Sequence, residues 1–312
     1  MEIIYLYSNN IFKDKMNSDT NLVATIGVFD GVHKAHKVLF DKLKKEARKL
    51  NAKTIVFTFD PHPDYVLSKR IDTGYLLPLD ERVNAFRYLG IDYCCIIKCD
   101  EALVKMNYQE FNARFLSELD AIVVGSDFKY GARAKGNVNT LKEVVRNTIV
   151  VDIIKDENGE KIGSEKIRDL LKSGNIKEAN KLLLQPYSIA GVIERGKNIG
   201  TMLNIKTANI KIGDNEFLIK DGVYQCYAII DNVKYMAICN MGKNPTIAPD
   251  NERTLEVHIL NIGDNEYNLY DKFMIVQFVR FMRDEIKFES LDKLKEQILK
   301  DIASLGEKLW NL

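Results

Sequence analysis

What the chain has little of narrows its chemistry first. In 312 residues there are one tryptophan, four histidines, five cysteines and six prolines. The cysteines (Cys94, Cys95, Cys99, Cys226, Cys239) are odd in number and sit mostly in apolar segments. Such a pattern reads as free thiols in a reducing compartment and not as a disulfide framework. "DYCCIIKC" reads as a strand and lacks C-x-x-C spacing, which argues against a metal cluster there. An excess of one charge is also absent: 45 Lys and Arg stand against 44 Asp and Glu, a net +1. No global field therefore recruits nucleic acid or an anionic membrane. No stretch approaches the roughly 18 apolar residues of a membrane span. "MEIIYLYSNNIFKDK" lacks the charged leader and apolar run of a signal peptide. The expectation is a cytoplasmic globular protein of one large or two ordinary domains, with small molecules as its partners.

What is present falls into two textures. The first half alternates short apolar runs, "LVATIGVF" (22–29), "TIVFTF" (54–59), "YCCIIK" (93–98), "AIVVG" (121–125) and "TIVVDII" (148–154), with amphipathic segments over 36–50, 80–90 and 108–119. Along 36–50 the residues Leu39, Leu43, Ala47 and Leu50 share one helical stripe. This is the pattern of a parallel sheet covered by helices on both faces, an α/β Rossmann-like domain. Two short helices are expected over 165–172 and 176–184. From "QPYSIAG" onward the chain turns to β-rich segments joined by turns such as "GDNE" and "IDNV", the signature of a small antiparallel β-barrel. A final helix is capped by Ser290 and carries Leu291, Leu294, Ile298, Ile302 and Leu305 on one face. The expected domains are 1–185 and 186–312.

Two glycines, an aspartate and two of the four histidines are packed into "GVFDGVHKAH" (27–36). The segment follows a buried strand, where ligands bind in open α/β sheets. Gly27 and Gly31 permit close backbone approach, and a helix beginning near His33 aims free N–H groups at that space. His33 and His36 fall on one helix face and could serve as donors to phosphates. A metal-binding histidine pair and a merely structural turn are the other readings. Farther along, Asp60, Pro61 and His62 end a strand. Gly125, Asp127 and Phe128 open a loop whose basic stretch, Lys129–Lys135, could fold over a polyphosphate. Ser164 could cap a helix and reach phosphate, with Arg168 one turn along.

These blocks carry a resemblance. "GVFDGVHKAH" resembles the G-x-F-D-G-x-H-x-G-H signature of nucleotidylyltransferases, in the form carried by bacterial bifunctional riboflavin kinase/FMN adenylyltransferase (FAD synthetase) proteins. "TFDPHP" (58–63), "VVGSDFKYGARAKGN" (123–137) and "SEKIRDLLKSGNI" (164–176) look like the next blocks of that family, in the same order. In the second half, "GVIERGKNIGTMLNIKTANI" (191–210), "NMGKNPTI" (240–247), "LEVHIL" (255–260) and "FVRFMRDEIKF" (278–288) are similar to its riboflavin kinase module.

The resemblance implies transfer of AMP from ATP to FMN, with riboflavin phosphorylation in the barrel. His33, His36, Arg168 and Glu256 would be catalytic. Gly27, Phe29, Asp30, Gly31, Gly125, Asp127, Ser164 and Arg168 would bind ATP, and Asp60, His62, Phe128, Asn137 and Arg280 the flavin. Thr207 and Asn209 would hold Mg²⁺, and Glu256 would take the ribityl hydroxyl proton. Departures from the pattern are Ala35 for glycine, Gly163 and Glu165 for serine and threonine, and Thr201, Asn204, Ile205 and Lys206 for arginine, glycine, phenylalanine and proline. The last four predict a weak or absent kinase step beside a working adenylyl transfer. The alternatives are a nucleotidyltransferase with another phosphate acceptor and a flavin-binding regulator with weakened catalysis.

Overall fold

Apolar runs too short for helices become the strands of one parallel sheet in the first half of the chain. The structure is a computed structural model that describes residues 1–16, 20–68, 74–194, 207–213, 217–243, 253–260 and 269–305. Its strands there are β1 (Glu2–Leu6), β2 (Leu22–Ile26), β3 (Lys53–Asp60), β4 (Tyr93–Lys98), β5 (Ala121–Gly125), a small hairpin of β6 (Lys129–Tyr130) and β7 (Gly136–Asn137), and β8 (Asn147–Val151). The six-stranded sheet has the order β1-β4-β3-β2-β5-β8, every pair parallel. From β2 the chain runs to β3 and β4 on one side, then to β5 and β8 on the other. The order reverses beside β2, and the crevice outside the carboxyl ends of β2, β3 and β5 is the place such sheets bind ligands.

All five residues of β2 are buried, as expected of a central parallel strand. The run "GVF", read from sequence as the end of that strand, instead leaves the sheet at Gly27. β1 was not anticipated. It is an edge strand with Ile3 and Tyr5 exposed, so its pattern is too short and too mixed to stand out.

The helices of this half are α1 (Lys34–Leu50), α2 (Pro63–Ser68), α3 (Leu79–Tyr88), α4 (Glu101–Lys105), α5 (Tyr108–Phe111) and α6 (Val138–Lys142). On α1 the buried residues are Phe40, Leu43 and Ala47, a stripe rotated toward Phe40 from the expected one through Leu39 and Leu50. The single helix expected over 108–119 is α5 followed by a π turn at Asn112–Leu116, where the Ser117 N–H reaches back to the Asn112 carbonyl.

The second half begins with α7 (Ser164–Lys172) and α8 (Ile176–Leu182). It then forms a closed antiparallel barrel in the order β10-β13-β12-β11-β14-β9. The strands are β9 (Ser188–Glu194), β10 (Thr207–Ile210), β11 (Gly222–Ile230), β12 (Val233–Lys243), β13 (Arg253–Ile259) and β14 (Phe273–Arg283). β11 and β12 form a hairpin around Asp231 and Asn232, at φ of 51° and 65°. Two consecutive left-handed residues make the turn whose twist suits a hairpin, and Asp and Asn tolerate it best after glycine.

The last helix, α9 (Leu291–Ala303), is capped by the Ser290 hydroxyl, which accepts the Lys293 N–H. Ile302 and Leu305 pack with Val223, Met236, Ile238, Leu260 and Met282, and the Arg283 guanidinium grips the buried Asp301 carboxylate at 2.8 and 3.1 Å. Leu291, expected on the packed face, is exposed.

Packing divides the chain into Met1–Lys166 and Ile167–Leu312, whereas the sequence texture changes at Pro186. Most of α7 and all of α8 fall in the second unit. Among the described residues no helix is long and apolar enough to cross a membrane.

Candidate active sites

Where β2 ends, the backbone is forced into an uncommon path. Gly31 has φ of 80°, and Phe29 and Val32 also take positive φ, 55° and 36°. For a β-branched residue this is a strained conformation, of the kind that persists where surrounding structure enforces it and clusters at ligand sites. At Gly27 an added Cβ would sit 3.2 Å from the Phe29 ring. The Phe29 side chain is buried and packs edge-on against His36, 5.1 Å between ring centres, and against Phe40 and Phe86. It is expected from the family as an ATP contact, but the ring is placed beneath the turn, where it supports His36.

The turn delivers two histidines to the start of α1. His33 is the N-cap, its Nδ1 accepting the His36 N–H, while His36 Nδ1 accepts the His33 N–H, both at 3.4 Å. The rings stack with centres 3.5 Å apart. Burial and the nearby Lys161 charge push His33 down to about 4. Burial, then His33 itself, lower His36 well below the ordinary histidine value. Both rings are therefore neutral at pH 7. A neutral imidazole that accepts a hydrogen bond at Nδ1 carries its own hydrogen on Nε2. Among the described residues no third His, Cys, Asp or Glu joins the pair in a metal-binding group, and in this tautomer both Nε2 atoms are donors. With the Lys34 and Ala35 N–H groups at the positive end of α1, they suit an anion. Ala35 is half-exposed within the first turn of α1, and the His33–His36 capping box forms with alanine at this position.

Other predicted residues surround this turn, several with structural duties. Asp30 is buried, and its carboxylate accepts the Leu76 and Leu77 N–H groups at 3.3 and 3.0 Å. The Ser164 hydroxyl donates to the Asp30 carbonyl at 2.8 Å, which fixes the start of α7 to the turn. At the end of β5, beyond Gly125, Asp127 pairs with Lys161, a residue the sequence did not single out. On the opposite side of β2, Asp60 pairs with Lys98 at 2.6 Å, and the His62 N–H donates to the Tyr75 hydroxyl at 2.6 Å. Phe128 stacks on Tyr130, and Asn137 caps α6 by accepting the Asn139 and Thr140 N–H groups. Lys166 is held by Asp156 and Glu160, so its charge is committed away from the exposed Glu165. Arg168 belongs to the second unit, its guanidinium carbon 5.8 Å from the Phe217 ring centre.

In the barrel, Ala208, Ile210, Leu255, Val257 and Ile259 are buried, which turns Thr207, Asn209, Glu256 and His258 to the opposite face. Register places Asn209 beside Glu256 and Thr207 beside His258. The row extends from Glu256 to Asn240 on β12, and from Asn209 to Glu194 on β9. Asn240 and Glu194 were not foreseen. Two carboxylates, two amides and a hydroxyl gather here, all hard oxygen donors. Arg280 is not in this row. Its Nε donates to the buried Gln225 at 2.7 Å and its Nη2 to the Ser304 carbonyl, so it ties β14 to β11 and to the segment after α9. The substituted positions Thr201, Asn204, Ile205 and Lys206 lie outside the described residues.

Comparison with known proteins fits this division. The FAD synthetase family matches residues 15–166 and the riboflavin kinase family residues 183–309. A "Bifunctional riboflavin kinase/FMN adenylyltransferase" of Buchnera aphidicola subsp. Schizaphis graminum is 34% identical over 307 residues, 96% of each chain. A protein of that name from Listeria monocytogenes is 30% identical over 306 residues, again 96% of each. A crystal structure described as a macrolide-efflux protein from Streptococcus pneumoniae superposes with TM-score 0.87 at 29% identity, covering 99% of this chain and 100% of that one. With both modules matched in order and relatives of this identity aligned along nearly its whole length, the chain belongs to the bifunctional riboflavin kinase/FMN adenylyltransferase family.

Proposed function

We propose that the first unit transfers AMP from ATP to FMN, giving FAD and pyrophosphate, and that the barrel phosphorylates riboflavin to FMN. The observation that carries the first reading is the stacked neutral histidine pair at the mouth of α1, beside the reversal point of the sheet. A phosphate oxygen of FMN attacks the α-phosphorus, the bond from that phosphorus to the bridging oxygen breaks, and pyrophosphate carries the electron pair away. The attacking phosphate is already anionic, so neither a protein nucleophile nor a base is required. His33 and His36 Nε2–H groups and the α1 N-terminus meet charge spreading over the phosphoryl oxygens, and the fixed turn holds the reactants in line.

In the barrel, Glu256 takes the proton of the ribityl hydroxyl as it attacks the γ-phosphorus of ATP, and ADP leaves. Thr207 and Asn209 offer Mg²⁺ a hydroxyl and an amide oxygen beside that carboxylate, a donor set this cation accepts. Bound there, the cation would neutralise phosphate charge. The substitutions at 201–206 support a kinase step slower than the adenylyl step. Five buried free cysteines fit a cytoplasmic enzyme. The test is chromatography of flavins after separate incubations with FMN and with riboflavin, each with ATP and Mg²⁺. The expected result is FAD from FMN and little FMN from riboflavin. Absence of FAD overturns the first assignment, and rapid accumulation of FMN overturns the slow kinase step.

A further inference from the structure

Arg82, on α3, lies outside every motif that carries the family resemblance, yet its charge is wholly buried. A buried guanidinium is costly unless its N–H groups are matched, and among the described residues Nη1 and Nη2 of Arg82 find partners while Nε has none. Nη1 donates to the Val28 carbonyl at 2.6 Å and to the Thr58 hydroxyl at 2.9 Å, and Nη2 to the Phe59 carbonyl at 3.3 Å. The Thr58 hydroxyl in turn donates to the same Val28 carbonyl at 3.0 Å. The guanidinium lies 5.1 Å from the centre of the Tyr75 ring, whose hydroxyl accepts the His62 N–H. Among the described residues no carboxylate forms an ion pair with Arg82.

These partners are not a random set. Val28 is the last residue before the strained 29–32 stretch that presents the histidines, and Phe59 immediately precedes Asp60 and His62. One planar fork therefore clasps the exits of two adjacent strands, β2 and β3, just where the two walls of the crevice begin. We infer that Arg82 is a positioning residue for adenylyl transfer, setting the spacing between the histidine turn and the 60–62 turn so that acceptor phosphate and α-phosphorus stay in line. The inference rests on the function proposed above. Misplacement by about 1 Å can cost on the order of 10²-fold in rate without abolishing binding. A lysine ammonium cannot reproduce a fork that reaches two carbonyls at once.

The experiment measures kcat and KM for FMN and ATP in the full-length wild type, Arg82→Lys, Arg82→Met and Thr58→Val. Rates are normalised to binding-competent sites, counted by FMN fluorescence quenching in the presence of an ATP analogue that cannot be cleaved between the α and β phosphates. Arg82→Lys is expected to lower kcat per competent site by about 30-fold or more, with both KM values within about 3-fold. Arg82→Met should lower it at least as far. Thr58→Val leaves the charge in place and should lower kcat by about 5-fold in the same pattern. Fewer competent sites, each with wild-type kcat, would reduce Arg82 to a scaffold and overturn the inference. Should both Arg82 variants fail to fold, wild-type kcat in Thr58→Val overturns it alone. A wild-type chain that makes no FAD overturns the proposed function and this inference with it. Active wild type with unimpaired Arg82→Lys overturns only the inference.

Discussion

In the first unit the chemistry-bearing groups stand on turns that leave parallel strands, whereas in the barrel they stand on the strands themselves. The crevice depends on contacts between distant segments: Asp30 with Leu76 and Leu77, Ser164 with the Asp30 carbonyl, Arg82 with Val28 and Phe59. The barrel row depends on register alone, since a residue and its cross-strand neighbour always share a face. Turn-built sites admit strain and burial, and so can shift the protonation of their groups. The strand-built row keeps its polar groups part-exposed or exposed on one face of the barrel strands.

The largest expected effect separates the two regions outright. His33→Ala removes one donor to the transferring phosphoryl group and should lower FAD formation from FMN by about 10³-fold, as loss of a single preorganised donor does elsewhere. The same variant should leave riboflavin phosphorylation at its wild-type level, measured by flavin chromatography on one preparation. Unchanged FAD formation would end the role assigned to the pair. The converse is Glu256→Gln, which keeps shape but cannot take the ribityl proton. Whatever riboflavin phosphorylation the wild type shows should fall about 10²-fold, with FAD formation from supplied FMN intact. Were both activities to fall together in either variant, the separation of roles would fail.

The same contrast explains what could be read without the structure. Alternating and continuous apolar runs gave both sheets, because burial on one face or two leaves a periodic trace. Asn209 and Glu256 were marked by the family resemblance alone, and only the register of the barrel sets them beside each other and beside Asn240 and Glu194. In the crevice the motif residues were visible, but the contacts their side chains make within the fold were not. Phe29 faces the core, Asp30 binds backbone, and Asn137 caps a helix, since a motif records residue types and not the direction of a side chain. Arg82 belongs to none of the motif blocks, and an amphipathic segment over 80–90 does not by itself mark an arginine as buried. Its place at one step of the stripe formed by Leu79, Val83 and Phe86 was the available signal.

Protonation offers a finer test of turn against strand. His33 binds its proton near pH 4 in the folded chain, against 6.5 for an ordinary histidine. Between these values the unfolded chain binds more protons, so stability falls as pH drops through 6.5 and stops falling below 4. His36 adds in the same direction. Taking His33 alone, denaturant unfolding of the first unit should show a loss of about 1 kcal/mol between roughly pH 7.5 and 5.5. His33→Asn should flatten that limb. An unaltered pH dependence in this variant would mean that His33 titrates normally.

The smallest effect concerns Lys161, whose charge is one cause of that depression and which pairs with Asp127 at the crevice edge. Both partners are largely exposed, so their attraction is worth little to stability. Lys161→Met should therefore scarcely move the melting temperature. Its removal takes a positive charge from beside His33, which must raise the folded-state histidine pKa, so that the acid limb still begins near 6.5 but ends a fraction of a unit higher and is shortened. Added salt should produce a shift of the same sign in the wild type and little in the variant, because the ions screen the interaction the substitution deletes. Histidine titration by NMR reads both. A His33 that titrates identically with and without Lys161 would show that burial alone keeps the donor neutral, and the contrast between the two sites would then rest on backbone strain and desolvation, with no share for charge at the crevice rim.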